Sequence, residues 1–84
     1  MPRARELEEK AARLREQLNR LYERSDALMA EIKRLQDEAA GKQGMERWAI
    51  MRRAYKLRDE WNSVAKQIMN MGVRLARIEE ALGR

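Results

Sequence analysis

The sequence predicts an all-α fold, an antiparallel two-helix coiled-coil hairpin that dimerises into a four-helix bundle. Three observations point there. Leu7, Leu14, Leu21, Leu28 and Leu35 recur every seven residues, the spacing of a coiled-coil seam. The two halves of the chain are mirror partners. At residue numbers adding to 85 these leucines meet Ile78, Met71, Val64, Leu57 and Ile50. At numbers adding to 86, Ala4, Ala11, Leu18, Ser25, Ile32 and Ala39 meet Leu82, Leu75, Ile68, Trp61, Ala54 and Arg47. A constant sum is what two antiparallel helices show along one seam. Finally, the heptad phase slips by one residue across Gly41 and Gly44. The first helix would next place a seam residue at 46, whereas the second counts from 47. That slip favours a turn over one continuous rod. The alternative is a swapped dimer in which the connector straightens.

The first helix is expected from about Arg3 to Ala40. Pro2 suits a first-turn position, where its missing N–H costs nothing. Glu6, Glu8 and Glu9 complement the positive end of the helix dipole. Glu6–Lys10, Glu9–Arg13 and Glu16–Arg20 are candidate i,i+4 pairs. Gly41 is expected to stop the helix in a left-handed conformation. Residues 41–44 then form a short connector. The second helix is expected from about Met45 to Leu82, with Gly83 behind it. Each helix would be about 57 Å long at 1.5 Å per residue.

Side-chain sizes support the pairing. Ser25 faces Trp61, Ala11 faces Leu75, Ala54 faces Ile32, and Ala4 faces Leu82. Small opposite large keeps the gap between helices even. Beside the seam, Glu31–Arg53 and Arg24–Glu60 would oppose unlike charges, Gln17–Gln67 is neutral, and Lys10–Arg74 sets like charges together at the open end.

One seam does not use all the apolar surface. The second helix carries another row at helical spacing: Trp48, Met51, Tyr55, then Ala65, Met69, Gly72 and Ala76, interrupted by Arg58 and Asn62. Tyr22 and Met29 of the first helix lie on the matching edge. A contiguous apolar strip of this kind marks an interface. The expected interface residues are Tyr22, Met29, Trp48, Met51, Tyr55, Ala65, Met69 and Gly72. The expected partner is a second copy of the chain, the alternative another protein. Gly72 costs about 1 kcal/mol relative to Ala inside a helix. A neighbouring helix passing close by would account for it.

A second surface is basic. Residues 1–40 carry nine basic and nine acidic side chains, residues 41–84 ten and five, so the net +5 sits in the second half. Residues 47–58 hold five cations and no acid. Arg52, Arg53 and Lys56 share an outward face, and Lys66, Arg74 and Arg77 extend it toward the C-terminus. Cations at helical spacing can follow a phosphate backbone, and arginine suits bidentate phosphate contacts. The alternative function is therefore nucleic-acid binding. In architecture the chain resembles the plasmid copy-number control proteins of the Rop type, helical hairpins that dimerise and bind paired RNA loops. A third reading is a designed or excised coiled coil without independent activity.

Catalysis is not expected. The chain has no histidine and no cysteine, which removes the commonest general base, disulfides and cysteine metal sites. Leu14-Arg15, Leu18-Asn19 and Leu21 resemble the opening of the helical chorismate mutases. Asn19 and Tyr22 stand where that pattern has acids, and Ile32 where it has arginine, so no residue is carried over. The carboxylate pairs Glu8–Glu9, Asp37–Glu38 and Glu79–Glu80 diverge around a helix. Gly41 and Gly44 fit no nucleotide-binding fingerprint. No cofactor, metal or small-molecule substrate is expected. Apolar runs stop at four residues, as in Trp48-Ala49-Ile50-Met51, so we expect no membrane span, no secretory signal and a cytoplasmic location.

Overall fold

The computed structural model describes residues 3–84. It holds two helices, α1 (Arg3–Ala40) and α2 (Gly44–Ala81), folded back on each other as a hairpin. Pro2 lies outside the described residues. The molecule is a rod of 65 × 15 × 14 Å with a radius of gyration of 18.7 Å. A compact chain of this length would have a radius near 12 Å. A rod two helices thick has no interior away from its one seam.

Burial follows that seam closely. The buried side chains are Ala11, Leu18, Leu28, Ile32, Leu35 and Ala39 of α1 and Ala54 and Val64 of α2. All eight lie on the expected heptad positions. The other seam residues are half-buried, except Ala4 and Arg47 at the two ends, which are exposed. Small residues such as Ala11 and Ala39 disappear beneath the opposite helix. The larger Leu75 and Trp61 bridge the gap and keep part of their surface in water. Trp61 is the awkward member: its indole Nε1 is buried with no acceptor. A buried donor left unpaired costs about 1–3 kcal/mol.

Ion pairs differ in detail from the sequence expectation. Glu16–Arg20 closes at 2.9 Å. Glu9 turns back to Arg5 at 3.8 Å instead of reaching Arg13. Arg24 pairs with Glu60 across the helices, as expected. Glu31 is taken by Arg34 on its own helix instead of Arg53, and Arg34 also reaches Glu38 at 3.3 Å. Two further interhelical pairs, Arg15–Glu79 at 2.6 Å and Arg84–Glu8, tie the open end together. Helical side chains lean toward their own N-terminus. On antiparallel helices Arg15 and Glu79 therefore lean toward each other and span a heptad offset.

The turn corrects one glycine assignment. Gly41 does not adopt a left-handed conformation; the positive-φ residues are Gly44 (62°) and Gly83 (79°). α1 ends by tightening its last turn, with Gly41 N–H donating to Glu38 O at 3.2 Å and Lys42 N–H to Ala39 O at 3.0 Å. Carbonyls satisfied this way need no left-handed cap. Gln43 then extends (φ −138°, ψ 160°), and Gly44 makes the reversal and opens α2 one residue earlier than expected. The far end of α2 does have a left-handed glycine. Arg84 N–H bonds Glu79 O at 2.9 Å and Gly83 N–H bonds Glu80 O at 3.0 Å, the paired bonds of a Schellman ending. Leu82 caps the helix just outside it.

A clear stability test follows. Gly44→Ala places a Cβ in left-handed backbone and costs roughly 1–2 kcal/mol. Gly41→Ala is neutral or stabilising by up to about 1 kcal/mol, since its new Cβ meets nothing closer than Glu38 O at 3.8 Å. Chemical denaturation followed by circular dichroism separates the two. A larger loss at position 41 than at 44 contradicts this turn.

Candidate interaction surfaces

The seam divides the remaining surface into two edges. On one edge lie Tyr22 and Met29 of α1 and Met51, Ala65 and Gly72 of α2, with Trp48, Tyr55 and Met69 one row further out. The outer residues are open to water: Met69 is 71% exposed, Tyr55 57% and Trp48 56%. Tyr22 and Met29 are also exposed, while Met51, Ala65 and Gly72 are half-buried. All eight residues therefore fall on one side of the rod. A soluble helix normally turns such residues inward, and here the hairpin has no further layer to receive them.

Two details sharpen this edge. A Cβ built on Gly72 would meet no atom within 4 Å, so nothing in the hairpin requires a glycine there. Arg52 does not stand with the other cations. Its guanidinium lies 5.3 Å from the centroid of the Trp48 ring, within range of a cation–π contact. Val73 and Met45 are exposed as well. Sequence patterning passed over both: Val73 adjoins the row without falling on its repeat, and Met45 sits at the start of α2, where the period is too short to assign a face.

The opposite edge is charged, and it is not one continuous face. Arg53 and Lys56 line a shallow groove of about 310 Å³ with Glu31 and Leu57. Arg74 and Arg77 lie about 31 Å further along α2 at 1.5 Å per residue. They line a larger groove of about 490 Å³ with Lys10, Arg13, Leu14, Gln17 and Ile78. Lys66 lines neither groove. Lys10 and Arg13 belong to the half of the chain with no net charge, which hid them from a reading based on charge runs. The signal for them was the like-charge pair Lys10–Arg74.

The Arg34 hydrogen bond holds the Glu31 carboxyl below its ordinary value, opposed by partial desolvation and aided by the Arg34 and Arg53 charges. Arg34 is raised in turn, first by its hydrogen bond to Glu31. Among the described residues no helix is long and apolar enough to cross a membrane. Comparison with protein families, with curated proteins and with solved structures finds no match.

The lowered Glu31 value has a pH consequence. A carboxyl with a depressed folded value adds stability above its unfolded value and loses it as pH falls through the folded one. Thermal melts between neutral pH and the acid limb are expected to fall less steeply for Glu31→Gln than for the parent chain. Parallel curves would mean that the Arg34 pair contributes nothing measurable.

Proposed function

We propose that the protein is a self-assembling helical module, whose apolar edge packs against the same edge of a second copy to form a four-helix bundle. The observation that carries this reading is an uncovered row with a built-in size gradient. Its large members Trp48, Met51 and Tyr55 lie toward the start of α2, and the small ones, Ala65, Gly72 and Ala76, toward the end, where Met69 is the one large residue among them. If two α2 helices pack antiparallel about a two-fold axis at Asn62, residues pair at numbers adding to 123 or 124. Trp48 then faces Ala76 of the other copy, Met51 faces Gly72, Tyr55 faces Met69, and Arg58 faces Ala65. Large opposite small is the complementarity that close packing demands. Gly72, open within the hairpin, takes its reason from the Met51 it would receive.

Polar residues support the same register. Asn62 meets its own copy at the axis, and a lone Asn in an apolar helical row selects register at some expense of stability. Asp59 and Lys66 flank the row and fall opposite each other, twice by symmetry. Tyr22 and Met29 of α1 lie on either side of the level of Asn62, so the whole patch is centred on that axis.

The areas are in proportion. The hairpin exposes 6709 Å², against about 5,200 Å² for a compact monomer of 10.0 kDa. A standard interface buries roughly 800 Å² per partner. Burying an aromatic or methionine side chain contributes roughly 1.5–3 kcal/mol. Tyr22, Met29, Trp48, Met51, Tyr55 and Met69 together can exceed an association cost of about 4–15 kcal/mol.

The reading is tested first by mass. Light scattering behind a sizing column is expected to give a particle of about twice the 10.0 kDa chain mass, and Met51→Glu a monomer. The register is tested by cross-linking and charge exchange. The chain has no cysteine, so Asn62→Cys is expected to oxidise to a covalent helical dimer, while Gln67→Cys, on the charged edge, is not. Asp59→Lys weakens the dimer and the double change Asp59→Lys with Lys66→Asp restores it. A monomeric parent chain at tens of micromolar ends the proposal; a dimer with equal cross-linking at both positions ends the register.

A further inference from the structure

We propose that the groove at the open end of the hairpin is a binding site for a compact anion carrying two or three linked phosphates. Its walls are Lys10 and Arg13 of α1 and Arg74 and Arg77 of α2, and its floor is Leu14 and Ile78 with Gln17 at one side. Four cationic residues from two helices line this one groove, and no carboxylate does. None of the four is in an ion pair among the described residues. The lack of a carboxylate sets the groove apart from the rest of the charged edge. There Arg24 is matched by Glu60, and the Arg53–Lys56 groove contains Glu31. Arg24 and Glu60 set opposite charges across this edge, whereas Lys10 and Arg74 set like charges together. Like charges at close quarters destabilise a fold, and an anion seated between them reverses that sign.

The size of the frame selects the ligand. Residues three apart on one helix stand about 5–6 Å apart at Cβ, and the two helix axes run about 8–10 Å apart. A single tetrahedral anion cannot meet all four corners of such a frame unless the four long side chains are drawn together on it. Two or three linked phosphates can, with the arginines making bidentate contacts. The site is also short. Beyond one side the adjoining depression adds an acid, Glu6, to Arg3 and Lys10, and beyond the other Arg24 is already neutralised by Glu60. A long nucleic-acid strand would meet acid or a closed ion pair within a few turns. The groove holds no group suited to act on the anion, so the inference is binding and not turnover. It is independent of self-assembly, because the groove lies on the edge opposite the apolar row.

The test uses inorganic tripolyphosphate, followed by calorimetric titration and by the shift in melting temperature. Tripolyphosphate is expected to bind and to raise the melting temperature, orthophosphate at equal concentration to do far less, and rising salt to weaken the effect. Arg77→Gln is expected to weaken binding about tenfold, with the ligand-free melt little changed. Arg74→Glu is expected to raise the ligand-free melting temperature, because Lys10 gains an opposite charge, and to abolish the response to tripolyphosphate. Met51→Glu, which removes the apolar edge, should leave the affinity intact. A purely structural cluster would show the stability change without a binding response. Equal affinity in the parent chain and Arg74→Glu overturns the site. So does tighter binding, per phosphate, of a single-stranded oligonucleotide, which would point to a strand along the edge.

Discussion

Everything tertiary in this molecule depends on the antiparallel seam between two 38-residue helices. No third element among the described residues shares the load, so each seam pair must hold the helices at one spacing along the whole rod. Alternation of small and large residues does this: Ala11 under Leu75, Ser25 under Trp61, Ile32 over Ala54. The cost appears at the middle. Trp61 needs the space Ser25 leaves, yet its Nε1 is buried without an acceptor. A phenylalanine there would remove the orphaned donor but also part of the surface that fills the gap. The indole sits where spacing takes precedence over hydrogen bonding.

With the core confined to one line, the two edges beside it take on opposite chemistry. The apolar edge is the one on which Arg15–Glu79 and Arg84–Glu8 close the open end. The charged edge has Arg24–Glu60 near the middle and unanswered cations at the open end. These exposed pairs contribute only about 0–1 kcal/mol each. Their effect is on register: a helix slipped by one heptad would lose them together. The two proposed contacts, a second copy on one edge and an anion on the other, can therefore be occupied at once.

The architecture was legible because periodicity is collective. More than twenty seam positions agree on phase, and no single residue decides it. The features that were not legible each hang on a local choice. Whether Gly41 or Gly44 turns left-handed depends on how α1 closes its last turn; the i to i−3 bonds at Gly41 and Lys42 settle it. Long charged side chains choose among several partners at similar energy. So Glu9 takes Arg5 over Arg13, and Glu31 takes Arg34 over Arg53. The basic surface was read along one helix. The groove at the open end needs Lys10 and Arg13 from the other helix. Arg52, assigned to the basic face by position, lies over Trp48, because an aromatic ring three or four residues away attracts a guanidinium as an open face cannot.

The open end ties these points together. Helix ends fray first, and here the chain connection lies at the far end of the rod, so nothing covalent holds Leu7 or Leu14 against Ile78. On the apolar edge two ion pairs supply that hold. On the charged edge the like charges of Lys10 and Arg74 act against it. Folding free energy gained from a ligand that binds only the closed form is RT ln(1 + [L]/Kd), so an anion bound there as proposed would strengthen the open end of the seam. Two copies joined through α2, as proposed, would add constraint where the row is centred, near Asn62, and much less at the open end. The two proposed contacts would thus act on different parts of one seam, and the anion's contribution should persist in the assembled state.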